Sequence, residues 1–210
     1  MSDLIIQALF ETLLMVFASS LIGIVFGFPL AMILFNYDKM SKGKLFYHIL
    51  SFLVNASRSI PYIILVVLMI PFSRMIVGSS IGVYAAIIPL GVSAILLVAR
   101  IIEDAFNNVA SGLIEVGVAM GASKLQIFLK ILIPEALPNI VAGITLVAIN
   151  LVGFSAMAGA VGGGGLGDLA IRYGYQRYDL EILAIIVLIL ILLVQIIQII
   201  GNKISNQLKR

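Results

Sequence analysis

Long apolar runs dominate this chain and limit what it can fold into. Five stretches, at about Glu11–Phe35, Leu45–Phe72, Gly82–Ile102, Ala136–Ala160 and Leu180–Ile200, each hold the roughly 20 mostly apolar residues that cross a bilayer. They are helix-length and lack the alternation of a membrane barrel. In lipid only helices and closed barrels satisfy their own backbone hydrogen bonds, so these stretches are expected to be spanning helices. The 62% hydrophobic and 11% charged composition excludes a soluble enzyme and a disordered chain, because a typical soluble domain is about 25% charged. A net charge of +3 does not outweigh this, and no nucleic-acid partner is expected. The chain reads as one transmembrane domain over residues 1–210.

Charge placement sets the expected orientation. The leader of the first span carries Asp3 and Glu11 where a cleaved signal peptide has a basic region, so it is read as a retained span with its N-terminus outside. Three segments then fall inside: Asn36–Lys44, Glu103–Glu135 and Asn202–Arg210. They hold every lysine of the chain (Lys39, Lys42, Lys44, Lys124, Lys130, Lys203 and Lys209) together with Arg210, and Arg100 stands at a helix end beside them. Arg74, Arg172 and Arg177 lie outside, and Arg58 lies within a span. The positive-inside rule favours this N-out, C-in arrangement of five transmembrane helices.

The inside loop at about 103–135 is long for a bundle connection. Leu113, Val116 and Met120 recur at helical spacing, and Gly121 is suited to end that helix in a left-handed conformation. Ser123 followed by Gln126 is a capping box that starts a second helix. This helix is expected to place Leu125, Phe128, Leu129 and Leu132 on one side and to be interrupted at Pro134. Two readings of the pair stand. One is an interfacial element lying on lipid; the other is a knob that docks into a soluble partner.

From Glu115 through Gly121 and Ile131 to Pro134, the loop resembles the signature of binding-protein-dependent ABC importer permeases: E-A-A, three residues, G, nine residues, I-x-L-P. The intervals match; Val116 and Gly117 stand where the pattern has alanines, and Ile133 where it has leucine. The Arg58-Ser59-Ile60-Pro61 stretch, the run Pro134-Glu135-Ala136-Leu137-Pro138 and the glycines from Gly162 to Gly167 extend the resemblance to permeases of methionine-type importers. The resemblance implies a type I ABC importer permease fold in the bacterial cytoplasmic (inner) membrane. It implies a second copy of the chain, two cytoplasmic ABC ATPase subunits carrying ATP and Mg, and an extracytoplasmic substrate-binding protein or lipoprotein. It also implies that Leu113, Glu115, Val116, Gly117, Ala119, Met120, Gly121 and Ala122 couple to the ATPase.

The residues argue separately for a borrowed energy source. No G-x-x-x-x-G-K-[ST] phosphate loop is present. No Asp or Glu sits at the centre of a span, where a proton or sodium relay would place one. The chain is therefore not expected to be an enzyme or to bind a cofactor directly. A small ion-coupled secondary transporter and a non-transporting membrane scaffold are the rival readings.

Other polar or glycine-rich features each carry two readings. Gly162-Gly163-Gly164-Gly165-Leu166-Gly167 contains G-x-G-x-x-G, but a membrane helix precedes it rather than a strand, which leaves a tight turn with close backbone approach. Arg172, Tyr173, Tyr175, Arg177 and Tyr178 form an interfacial aromatic belt or a docking surface for the binding protein. Asn55, Ser57, Arg58 and Ser59 around Pro61 hydrogen-bond internally or line a substrate path, with Arg58 near a substrate carboxylate. Asn150, Phe154, Ser155 and Met157 follow the helical interval. Met157 is packing, or it is one half of an axial gate. Gly23 and Gly27 allow a close helix crossing, and Pro29, Pro61 and Pro89 are expected to kink their helices. His48, the single histidine and free of any cysteine company, is an interfacial residue and no metal site.

Overall fold

The computed structural model describes residues 2–38 and 44–209; the side chains at 36–38, 44 and 56–58 lie outside the description. Among the described residues nine α-helices follow one another and there is no strand. They are α1 (Ser2–Asp38), α2 (Lys44–Ser59), α3 (Tyr62–Val77), α4 (Val83–Asn107), α5 (Ser111–Ala119), α6 (Lys124–Ile127), α7 (Ile133–Ala160), α8 (Gly165–Leu169) and α9 (Leu180–Leu208). Two π-helical turns, Phe128–Leu132 and Ala170–Tyr175, extend α6 into α7 and α8 toward α9.

Among the described residues, four helical stretches are long and apolar enough to cross a membrane: Ser2–Phe35, Val83–Asn107, Lys124–Ala160 and Leu180–Leu208. The second expected span departs from the continuous helix of the sequence reading. It is split into α2 and α3 at Ile60–Pro61. Proline has no N–H to donate, its ring crowds the carbonyl four residues back, and it drives the preceding residue out of the helical region. The helix then restarts at once, with the Pro61 carbonyl accepting from the Ile64 and Leu65 N–H groups at 2.9 and 3.2 Å.

The other prolines behave differently. α1 and α4 run without interruption through Pro29 and Pro89. Pro134 does not interrupt its helix either: Lys124–Ala160 is continuous. Pro134 sits in the first turn of α7, directly after the wider π-helical turn. Widening the ladder just ahead of the ring relieves the clash that would otherwise end the helix.

Small residues set the helix crossings. A Cβ added at Gly23 would stand 2.7 Å from the Ala94 Cβ, and one at Gly27 2.7 Å from the Ile95 carbonyl oxygen, so α1 and α4 approach almost backbone to backbone. Their seam buries Met15, Leu90, Ala94, Val98 and Phe106. α7 and α9 meet where Gly201 lies over Thr145, and the Ser205 hydroxyl donates to the Pro138 carbonyl at 2.9 Å. The outer face of α9 exposes Val187, Leu188, Ile191, Leu192, Ile196 and Ile199. A stripe of that kind is a lipid contact.

Candidate functional site

Three exposed regions collect the residues singled out from sequence. The first is α5. Its end is a left-handed glycine turn: Gly121 has φ +76, its N–H reaches the Val118 carbonyl at 2.9 Å, and the Ala122 N–H reaches Gly117 at 3.1 Å. The capping box follows, with the Ser123 N–H donating to Gln126 Oε1 at 2.8 Å and the Gln126 N–H to Ser123 Oγ at 3.3 Å. Leu113, Val116, Val118 and Met120 are exposed, Met120 by 81%. Glu115, Ala119 and Gly121 are exposed beside them, and Ala122 is half-buried.

Gly117 does not share that face. It is buried, and an added Cβ would lie 2.7 Å from Ile131 Cδ1 and 3.3 Å from Ile127 Cγ1. Glycine lets α5 press onto the π-helical turn. That turn is anchored in depth, because Phe128 meets Phe106 edge-on at 5.7 Å and Phe106 meets Phe28 and Phe35 of α1 at 6.3 and 5.5 Å. The expected one-sided cluster of α6 is divided: Leu125 and Leu129 are exposed, Phe128 is half-buried and Leu132 is buried. Close by, fully buried Glu103 Oε2 pairs with Arg100 Nη1 at 2.9 Å, and Arg100 Nε lies 3.4 Å from Asp104 Oδ1. Proximity in sequence hinted at this ion-paired cluster, but burial could not be read from it.

The second group of residues is spread over α2, α3 and α7. Asn55 and Ser59 are exposed, and Asn55 Nδ2 donates to Ser51 Oγ at 3.4 Å. The Arg58 and Ser57 side chains lie outside the described residues. On α7, Asn150 and Met157 occupy the same open edge two turns apart, with Met157 47% exposed. Ser155 turns inward and donates to the Val152 carbonyl at 2.7 Å. Phe154 stacks face to face on Tyr62 at 4.4 Å, with ring planes 3° apart. Tyr62 opens α3 immediately after the Pro61 break, and nothing in the spacing of the sequence pointed to it. The stack ties α3, at its start, to α7.

The third region follows α8. Arg172 pairs with Asp168 one turn earlier, and the Arg177 guanidinium lies 4.5 Å over the Tyr173 ring. Tyr173 is half-buried against Leu166, Leu169, Ile182 and Ile186. Tyr175 and Tyr178 project outward, 70% and 83% exposed. Tyr178 holds φ +56, a left-handed conformation that a non-glycine residue rarely adopts. The five residues read together from sequence thus divide into an internally engaged set and two free tyrosines.

Residues 20–210 match the family described as the binding-protein-dependent transport system inner membrane component. The chain is 48% identical over 185 residues to a probable D-methionine transport system permease protein, MetI, of Vibrio cholerae, covering 87% of this chain and 82% of that one. With the D-methionine transport system permease protein MetI of Escherichia coli it shares 46% identity over 158 residues, or 74% and 73% of the two chains. Among solved structures, it superposes on an inward-facing form of the MetNI methionine ABC transporter with a TM-score of 0.95 and 44% identity, covering 100% of this chain and 98% of that one. An amino acid ABC transporter with histidines shares the fold at 22% identity and a TM-score of 0.82, covering 98% and 94%.

Proposed function

The chain belongs to the binding-protein-dependent transport system inner membrane components, and on that premise we propose that it is the permease of an ATP-driven importer for methionine. Its relatives are named for D-methionine transport and for a methionine ABC transporter. ATP and Mg belong to a separate ATPase subunit, and the permease works as a homodimer with two such subunits and an extracytoplasmic binding protein. α2 and α3 together make the fifth span, with the N-terminus outside and the C-terminus inside. The confinement of all lysines to the three inward segments supports that orientation.

The observation that carries the reading is α5: an exposed apolar surface at Leu113, Val116 and Met120, mounted through Gly117 on Ile127 and Ile131, with Phe128 against buried Phe106 behind them. An apolar patch offered to water on a rigid support suits a protein partner. Closure of the ATPase pair on ATP moves α5, α5 moves the spans, and the path opens toward the binding protein; after hydrolysis it reverts. Both states are biased by nucleotide, as alternating access requires. The exposed edge of Asn150 and Met157 on α7, and the exposed Asn55 and Ser59 near the end of α2, support a substrate path between two copies. The test is uptake of labelled amino acids into vesicles holding the permease, with ATPase and binding protein each present or omitted. Methionine uptake is expected only with all three and ATP. Uptake that persists without the ATPase and collapses with the ion gradient would refute the reading.

A further inference from the structure

The glycine run after α7 seats two side chains of α1. The backbone N–H of Gly165 donates to Glu11 Oε2 at 2.7 Å, and that of Leu166 donates to Thr12 Oγ1 at 2.9 Å, across 154 residues of sequence. The first N–H groups of a helix have no partner within it; here adjacent residues of another helix serve two of them. The second carboxylate oxygen of Glu11 accepts from Gln7 Nε2 at 3.0 Å, one turn earlier, which orients it.

The backbone is shaped for this seat. Gly164 and Gly165 hold φ +80 and +76; a Cβ at Gly164 would stand 2.9 Å from Glu11 Oε2, and one at Gly165 2.7 Å from Thr12 Oγ1. Conformation and clearance both demand glycine. α8 has only five residues, too few to hold a helix by itself. Leu166 and Leu169 pack with Ala8 of α1 and with Ile182 and Ile186 of α9, and the π-helical turn that ends at Tyr175 continues from α8. α8 is therefore one support of the segment that carries the exposed tyrosines, beside α9, where Gly174 packs on Leu183.

We propose that Glu11 and Thr12 are positioning residues that clamp α8 to α1 and thereby set the attitude of Tyr175 and Tyr178 toward the extracytoplasmic binding protein. The proposal rests on the reading of this chain as a binding-protein-dependent permease. Charge-assisted hydrogen bonds are about twice as strong as neutral ones, so Glu11 is the main tie.

The test uses the whole transporter in vesicles, carrying Glu11→Ala with Thr12→Val, or the conservative Glu11→Gln, whose amide oxygen still accepts. Amide hydrogen exchange over residues 162–169 reports the clamp. The binding-protein concentration for half-maximal ATPase stimulation, set against basal and maximal rates, reports positioning. In the double variant, exchange and half-saturating concentration are each expected to rise about tenfold, with basal and maximal rates within about twofold and Glu11→Gln falling between the double variant and wild type. If the double variant fails to assemble, the isosteric Thr12→Val is expected to shift both readouts in the same direction by less. Faster exchange with an unchanged half-saturating concentration would overturn the positioning role, and unchanged exchange would overturn the clamp. A wild-type complex indifferent to the binding protein would sink the docking reading, and the proposal with it, before any variant is compared.

Discussion

At one end of the molecule α5 rests on the helix Lys124–Ala160 through apolar contacts, Gly117 against Ile127 and Ile131, with Phe128 and Phe106 behind. At the other end α8 is tied to α1 by directed hydrogen bonds from Glu11 and Thr12. Both are short helices that expose a surface, yet their mounts differ in kind. Apolar contact is non-directional and tolerates small sliding, whereas a hydrogen bond weakens steeply as its angle departs from linear. The α5 mount suits an element that must move with its partner. The α8 mount suits one that must keep its angle. α1 reaches both, through Glu11 and Thr12 near one end and through Phe28 and Phe35 near the other.

The hardest blow to this contrast is Gly117→Leu. No leucine fits where a bare Cβ already stands 2.7 Å from Ile131 Cδ1, and overpacking costs about 1–3 kcal/mol. With α5 lifted off its mount, vesicle uptake is expected to fall at least about tenfold while ATP hydrolysis and membrane insertion persist. A bulky or charged residue at Gly121 should act in the same direction, and wild-type uptake in these variants would remove α5 from coupling.

Gly165→Ala attacks the other mount. Its φ of +76 and the crowding by Thr12 Oγ1 and Met15 Cε, at 2.7 and 2.8 Å, predict a loss of about 1–2 kcal/mol in thermal unfolding of the purified complex. An unchanged melting temperature would show that α8 is not held as described. Between the ends, Phe154→Ala removes the stack on Tyr62 and is expected to cost about 3 kcal/mol at most, of which about 0.5–1.5 belongs to the aromatic pair itself. Comparison with Phe154→Leu in the same assay separates the two. Met157→Ala, on the exposed edge of α7, is expected to leave stability nearly unchanged but raise the resting leak of the reconstituted transporter. Unchanged leak and transport would end its assignment as a gate. The smallest effect belongs to Gly112→Ala, where nothing lies within 4 Å; helix propensity predicts a gain of at most about 1 kcal/mol, measured as a small rise in melting temperature.

Local chemistry was legible in the chain wherever partners stood within a turn of one another. The Gly121 turn and the Ser123–Gln126 capping box formed as their spacing required, and the Gly23–Gly27 pair met α4 as a small-residue stripe should. Proline was legible only in part. Of three prolines expected to kink their helices, Pro61 broke its helix outright while Pro29 and Pro89 lie within continuous ones, and Pro134, expected to interrupt its helix, was absorbed by a π-helical turn. Whether a ladder can widen or shift depends on what packs around it, which periodicity does not contain. The same holds for Gly117, whose place in the signature suggested the docking face and whose side points to Ile131.

By itself the sequence determined the solvent and the family. Apolar length selects lipid because the unpaired backbone cannot exist there, and the Glu115–Pro134 intervals belong to the importer signature. Only the tertiary structure decided which residues hold the exposed surfaces. Glu11 and Thr12 find α8 across 154 residues, and Tyr62 finds Phe154 across two helices. Such meetings are set by how helices cross, and a crossing is a property of two surfaces together that neither run of sequence carries alone.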